Sequence, residues 1–168
     1  MTSFSLRSIR LRPGEEYRDE KEVALEPVRL GGQRYLPVPA TVQAELVVTR
    51  AQTGTVLELR FQTRLHGPCY RCLADAVIDI DISGREYQAM NPDSEELQTP
   101  YLENDQLDLS GWARDAVVLE LPDKILCRPD CAGLCPVCGR DLNVEPHEHE
   151  DKEPDSRWAA LAELKDRL

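Results

Sequence analysis

Apolar and polar residues alternate with a period of two in three consecutive stretches. In Thr41–Arg50, Val42, Ala44, Leu46 and Val48 alternate with Gln43 and Glu45, the pattern of a strand with one buried face. Gln52, Thr53 and Gly54 supply a turn. Leu57, Leu59, Phe61 and Leu65 then share one side, and Glu58, Arg60, Gln62 and Arg64 share the other. A third run sets Ala76, Ile78, Ile80 and Ile82 inward and Asp79 and Asp81 outward. Three such runs joined by turns predict an antiparallel meander with one polar face.

The flanking segments are less regular. Phe4, Leu6 and residues 9–11 suggest a first strand, the charged run 15–22 an exposed loop, and Val23, Ala24 and Leu25 the start of another strand. Residues 91–105 are polar and acidic, as in a surface loop. Asp108 or Ser110 is placed to cap a short helix over 112–121, with Trp112, Ala116 and Leu119 on its apolar side and Pro122 as its stop. Near the end, Asp155 or Ser156 is placed to cap a last helix with Trp158, Leu161, Leu164 and Leu168 roughly on one side. No internal repeat is visible. The expected fold is α+β: mainly an antiparallel sheet or small open barrel with one short helix, a cysteine-rich zinc-binding segment and a C-terminal helix. Its expected parts are a β domain over 1–122, a metal-binding segment over 123–149, and an acidic linker with the final helix over 150–168.

Composition sharpens this picture. Apolar residues make up 41% of the 168, but only two Phe and two Trp are available to fill a core. A modest core is where metal staples help. The net charge of −11 is uneven: residues 1–72 carry 11 Lys and Arg against 8 Asp and Glu, and residues 73–168 carry 9 against 23. An acidic surface repels phosphates, so any broad nucleic-acid contact belongs to the first half or comes through a basic partner. The alternative is that the acidity serves only solubility. The first 14 residues lack the apolar run of a signal peptide, and nowhere do 18 apolar residues follow one another. The expectation is a cytoplasmic protein with no membrane partner, in which six cysteines point to metal or redox chemistry rather than disulfides.

Cys69-Tyr70-Arg71-Cys72 lies between two expected strands, at a hairpin tip, and Cys135-Pro136-Val137-Cys138 is followed by Gly139. Two intervening residues let both sulfurs face one point while the backbone turns, and a trailing glycine accepts the positive φ such turns often need. Cys127 and Cys131, with His147 and His149, complete eight ligands, enough for two tetrahedral structural zinc sites. One partition joins Cys69, Cys72, Cys127 and Cys131 and leaves Cys135, Cys138, His147 and His149 for a second ion. In another, the histidines are merely solvated and only one ion is held. Unligated core thiols fit poorly with segments so rich in Pro, Arg and Asp. A redox pair would expect a strand-to-helix setting instead.

The run from Cys127 to Asn143, with Asp155-Ser156-Arg157-Trp158-Ala159-Ala160-Leu161, resembles the C-terminal signature of the YceD-like family, the large ribosomal RNA subunit accumulation proteins. The Cys69–Cys72 pair and the helix leading to Cys127 are also similar to that family. Where such proteins often show Cys-x-Cys, this chain has His147-Glu148-His149. The resemblance implies a bacterial ribosome biogenesis factor for accumulation of large-subunit (23S) ribosomal RNA, without catalytic activity. It implies as partners precursor RNA of the large subunit, a small basic ribosomal protein, or both. Arg60, Arg64 and Arg71 are candidates to meet an RNA backbone, or equally a solvated strand face.

Two other functions compete. A zinc hydrolase or deaminase would use an open zinc position near residue 147. However, the deaminase order, His-x-Glu before Pro-Cys-x-x-Cys, is absent, and so is a His-Glu-x-x-His helix. A zinc-containing transcription regulator would want a basic recognition helix, and the helix over 112–121 has one Arg and two acids. The oligomeric state is left open.

Overall fold

The computed structural model describes residues 2–91 and 97–149. The chain divides into two compact units, Met1–Cys131 and Ala132–Leu168. The linker and helix expected over 150–168 lie outside the described residues.

The first unit contains strands β1 (Ser3–Ser5), β2 (Glu16–Ala24), β3 (Val28–Leu30), β4 (Gln33–Pro37), β5 (Thr41–Arg50), β6 (Gly54–Pro68), β7 (Asp75–Ala89), β8 (Leu102–Glu103) and β9 (Gln106–Asp108), and helix α1 (Leu109–Glu120). β2, β5, β6 and β7 form an antiparallel sheet in that order. β5 pairs with β6 only from Thr55 to Arg60, and β4 takes over the same edge at Leu65 and His66. β7 pairs along the whole of β6, from Gly54↔Ala89 to Pro68↔Asp75.

The expected alternation is present in this register. Leu46 faces Leu59, Val48 faces Leu57 and Phe61 faces Ile82, all buried on the inner face. Ile80 and Ala76 continue that face. α1 closes it. Asp108 caps the helix by accepting from the Gly111 N–H at 3.0 Å, and Leu121 ends it in extended backbone ahead of Pro122. The helix touches both β7 and β2, so the sheet curls until its two margin strands reach one helix. Among the described residues no ladder joins β2 to β7, so the sheet stays open rather than closing as a barrel.

Several local expectations are corrected. The charged run 15–22 is not a loop but most of β2, paired with β5 from Glu16↔Thr49 to Ala24↔Thr41. Glu16, Arg18, Glu20 and Glu22 lie on the outer face, as suits a margin strand, while Tyr17, Lys21 and Val23 turn inward, Tyr17 stacking on Phe4 at 5.6 Å and Lys21 pairing with Asp19 beside it. The first strand is only Ser3–Ser5, because residues Leu6–Ser8 turn as a 3-10 helix. Leu102–Glu103, at the end of the loop expected over 91–105, is a strand and forms a small hairpin with Gln106–Asp108 just beyond it. Leu119 is 84% exposed, since the buried stripe of α1 runs through Leu109, Trp112, Ala113, Ala116 and Val117 and leaves Leu119 beyond its edge. No helix among the described residues is long and apolar enough to cross a membrane.

The described part of the second unit, 132–149, has little to bury: only Gly133 and Cys135 are shielded. Backbone and side-chain hydrogen bonds shape it instead. Leu142 N–H donates to Gly133 O, Ala132 N–H to Asn143 Oδ1, and Asn143 N–H to Asp141 Oδ1.

Candidate metal centres

The long β6–β7 hairpin ends in the turn that carries Cys69 and Cys72. Two contacts fix its direction. Tyr35 Oη donates to Pro68 O at 2.9 Å, and the Tyr35 ring lies where a side chain on Gly67 would stand, 2.3 Å from an added Cβ. Past α1, the chain returns to this tip. Tyr70 N–H donates to Ile125 O at 2.8 Å, and Arg71 Nη1 donates to Cys131 O at 2.6 Å. These bonds bring Cys127 and Cys131 beside the hairpin.

The four sulfurs all lie within 4.8 Å of one another. Cys69 Sγ is 3.8 Å from Cys131 Sγ, and Cys72 Sγ is 3.6 Å from Cys127 Sγ. All four cysteines are free, and these separations far exceed the roughly 2.0 Å of a disulfide. A tetrahedral ion with metal–sulfur bonds of about 2.3 Å sets its sulfurs about 3.8 Å apart, so the group fits one such ion. Cys69, Cys72 and Cys131 are buried.

Burial pushes the Cys69 thiol up, but the backbone N–H groups of Cys72, Cys127 and Arg71 outweigh it and hold the group at about 6. Cys127, an exposed residue whose sulfur lies against Cys72, is pushed up to about 12 by desolvation and by the neighbouring thiols. At Cys72 the Ala74 N–H and the Cys127 sulfur pull downward, yet burial and the Cys131 and Cys69 sulfurs move the thiol up. One sulfur thus ionises readily and its neighbours then resist. A divalent cation removes that conflict, because its charge lets all four ionise together.

The second group, Cys135, Cys138, His147 and His149, lies within the second unit, its ligand atoms also within 4.8 Å of one another. The Cys138 N–H, against burial, holds the Cys135 thiol at about 6. Cys138 Sγ is 3.1 Å from His147 Nε2, and His147 Nδ1 donates to Glu145 O at 2.7 Å. That carbonyl, with the Cys135 thiolate, raises the His147 pKa. It also fixes the ring so that Nε2 is the free ligand nitrogen in the neutral imidazole. Only Cys135 of this group is buried, so it is the more open of the two.

Both turns share one geometry. Arg71 N–H donates to Cys69 Sγ and Val137 N–H to Cys135 Sγ, each at 3.4 Å. Leu73 N–H donates to Cys69 O and Gly139 N–H to Cys135 O, and both residues have positive φ, 61° and 73°. All eight expected ligands therefore stand in two groups of four that could each hold a metal ion. Sequence reasoning missed the part played by Arg71. It was expected among arginines facing outward, and its guanidinium instead clips the Cys131 carbonyl. Arg60 and Arg64 lie on the outer face as expected, but they are paired with Glu58 at 2.7 Å and Asp79 at 2.6 Å.

Comparison with known proteins follows the same residues. The family model described as large ribosomal RNA subunit accumulation protein YceD matches residues 57–165, which include both groups. The chain is 34% identical over 161 residues to the uncharacterized protein Rv2926c of Mycobacterium tuberculosis H37Rv, covering 91% of this chain and 76% of that protein. It is 30% identical over 151 residues to the uncharacterized protein ML1660 of Mycobacterium leprae, covering 79% and 69%. Over 100 residues it is 30% identical to the uncharacterized protein YlbN of Bacillus subtilis, 58% of each chain. No solved structure matches.

Proposed function

This chain belongs to the YceD family of large ribosomal RNA subunit accumulation proteins, and from that membership we propose that it is a cytoplasmic, non-enzymatic factor for accumulation of large-subunit (23S) ribosomal RNA, built around structural zinc. It acts by binding precursor RNA or a small basic ribosomal protein. The observation that carries the reading is the family match across both cysteine groups. The ligand chemistry supports the zinc: four thiolates at tetrahedral spacing suit zinc, and two thiolates with two imidazoles suit it equally.

Closed ligand sets favour a structural role over a hydrolase or deaminase. Catalytic zinc keeps three protein ligands and an open position for water, whereas each group here supplies four ligands. Glu148 stands between the two histidines, but it is exposed and lacks the ordered, water-excluding frame a general base requires.

The test is sucrose-gradient fractionation of cells with and without the gene, probing large-subunit RNA and the protein itself. Loss of large-subunit RNA on deletion, with the protein on precursor particles or on a basic ribosomal protein at low salt, is the expected result. Normal large-subunit RNA after deletion overturns the reading.

A further inference from the structure

The outer face of the main sheet is nearly neutralised by its own ion pairs. Arg18, Arg60, Arg64 and Arg85 each lie within 4.0 Å of a carboxylate on a neighbouring or the same strand. The β3–β4 hairpin breaks this rule. Its register sets Arg29 directly opposite Arg34, and both are exposed. Among the described residues neither has an ion-pair partner. Like charges facing each other across a ladder, roughly 5 Å apart, are destabilising. In a chain of net charge −11, acids are plentiful in sequence, yet none of those in the described residues pairs with either arginine.

The surroundings extend the site. Strand alternation puts Leu36 on the same solvent face as Arg34, the ladder puts His66 opposite Leu36, and Val77 lies opposite His66. Leu36 and Val77 are 46% and 47% exposed. At the hairpin turn Gly31 and Gly32 have φ of 57° and 81°, the two-residue turn that glycine favours. An added Cβ on Gly31 would meet the Tyr70 ring at 3.2 Å, and Lys124 Nζ stands 5.2 Å from the centre of that ring. The hairpin is thus held against the Cys69–Cys72 turn, and a third cation borders it.

We propose that the solvent face of the β3–β4 hairpin, with Arg29 and Arg34 at its centre, binds the phosphate backbone of RNA. The inference rests on the function proposed above and names the surface that would perform it. Guanidinium forks match phosphate oxygens, and the exposed Leu36 and Val77 offer apolar surface for a base beside them. RNA supplies both features, whereas a free phosphate supplies only the first. The Cys69–Cys72 turn then has a direct use, because it fixes the hairpin through Tyr70 and Tyr35.

The experiment uses the full, zinc-loaded chain and labelled transcripts of large-subunit ribosomal RNA, with polyglutamate as the competing polyanion. Arg29→Ala with Arg34→Ala should weaken RNA binding at least tenfold at low salt. It should also flatten the slope of log K against log salt by about 1.4, at about 0.7 per single-strand phosphate contact. Arg34→Glu replaces repulsion with a cross-strand opposite-charge pair, so its melting temperature should hold or rise while RNA binding is lost. A merely structural arginine would give the reverse. Arg60→Ala, which removes a paired arginine, should bind as the unmodified chain does. Unchanged affinity and slope in the Arg29 and Arg34 variants overturns the proposal, as does binding of polyglutamate in preference to RNA. In cells the two readings separate. If deletion lowers large-subunit RNA and Arg34→Glu restores it fully, the surface is wrong and the function stands. If deletion leaves that RNA unchanged, the function fails and the surface proposal falls with it.

Discussion

Leu73 and Gly139 occupy the same place in two copies of one turn, each just after the second cysteine and each with positive φ. Glycine takes that conformation freely, whereas a leucine there costs about 1 kcal/mol or more. Leu73→Gly should therefore be neutral or stabilise the first unit by up to about 1 kcal/mol in urea titration. Gly139→Leu, with nothing within 4 Å of an added Cβ, should lower metal affinity at the second group through backbone strain alone. Arg71→Ala leaves the Cys131 carbonyl without its donor at 2.6 Å and should cost about 1–3 kcal/mol, with faster loss of metal to a competing chelator. On the outer face, Arg64 and its bonds to Asp79 hold that carboxyl below its ordinary value of 3.8. A carboxylate with a depressed pKa contributes stability that is present above its unfolded value and is lost as pH falls through the folded one. Arg64→Ala should return Asp79 toward 3.8 in an NMR titration.

The β6–β7 hairpin and α1 divide the work of placing the first metal group. β6 and β7 stay paired over all fifteen residues of each, so the turn between them is carried on a long, stiff arm. The arm needs Gly67, since any Cβ there runs into the Tyr35 ring. Gly67→Ala should displace that ring and weaken both the fold and metal retention, by about 1–3 kcal/mol in stability. α1 sets where Cys127 emerges. Asp108→Ala removes its N-cap and should cost about 1 kcal/mol, read as a lower midpoint in thermal unfolding. Trp112 lies over Gly84, its indole nitrogen 3.1 Å from an added Cβ, so the helix sits close against β7 only because that strand position lacks a side chain.

At the scale of the molecule, the two units should differ in how far they would depend on a metal held by their ligand groups. The first has an apolar core of its own, with Leu46, Leu57, Leu59 and Leu65 at 1% exposure or less. The described part of the second has no such core, and a metal site contributes roughly 10–16 kcal/mol in small zinc peptides. Chelation should therefore act in two stages. The open group of Cys135, Cys138, His147 and His149 should empty first, with protease sites appearing after Cys131 while the β-sheet circular dichroism persists. The mostly buried four-cysteine group should empty later. Elemental analysis of protein purified without chelator should give about two zinc per chain by ligand count, and Cys138→Ser should lower that count without lowering the melting temperature of the sheet. A single cooperative loss of both ions together with the sheet would contradict this order.

The three alternating runs, the Asp108 cap and the stop at Pro122 were legible in the sequence because each rests on local physics: period-two burial, an orphan N–H, a missing donor. The cysteine and histidine spacings likewise pointed to ligand groups that could hold a metal ion, since two intervening residues are enough to aim both side chains of a pair at one point. What joins 69 to 131 is not local. The spacing offered the grouping of Cys69 and Cys72 with Cys127 and Cys131 as a partition, but the tertiary structure is what brings the four sulfurs together, because the match depends on the length of β6 and β7, the exit angle of α1 and the backbone bond from Tyr70 to Ile125. The charged run 15–22 became a strand for the same reason: β5 offered an unpaired edge, and ladder hydrogen bonds outweigh local polarity. The arginines repeat the lesson. Arg60, Arg64 and Arg71 looked available in sequence, and the fold gave each a partner across the ladder or at the metal turn. Arg29 and Arg34, five residues apart and unremarkable as a string, were set face to face by a two-glycine turn.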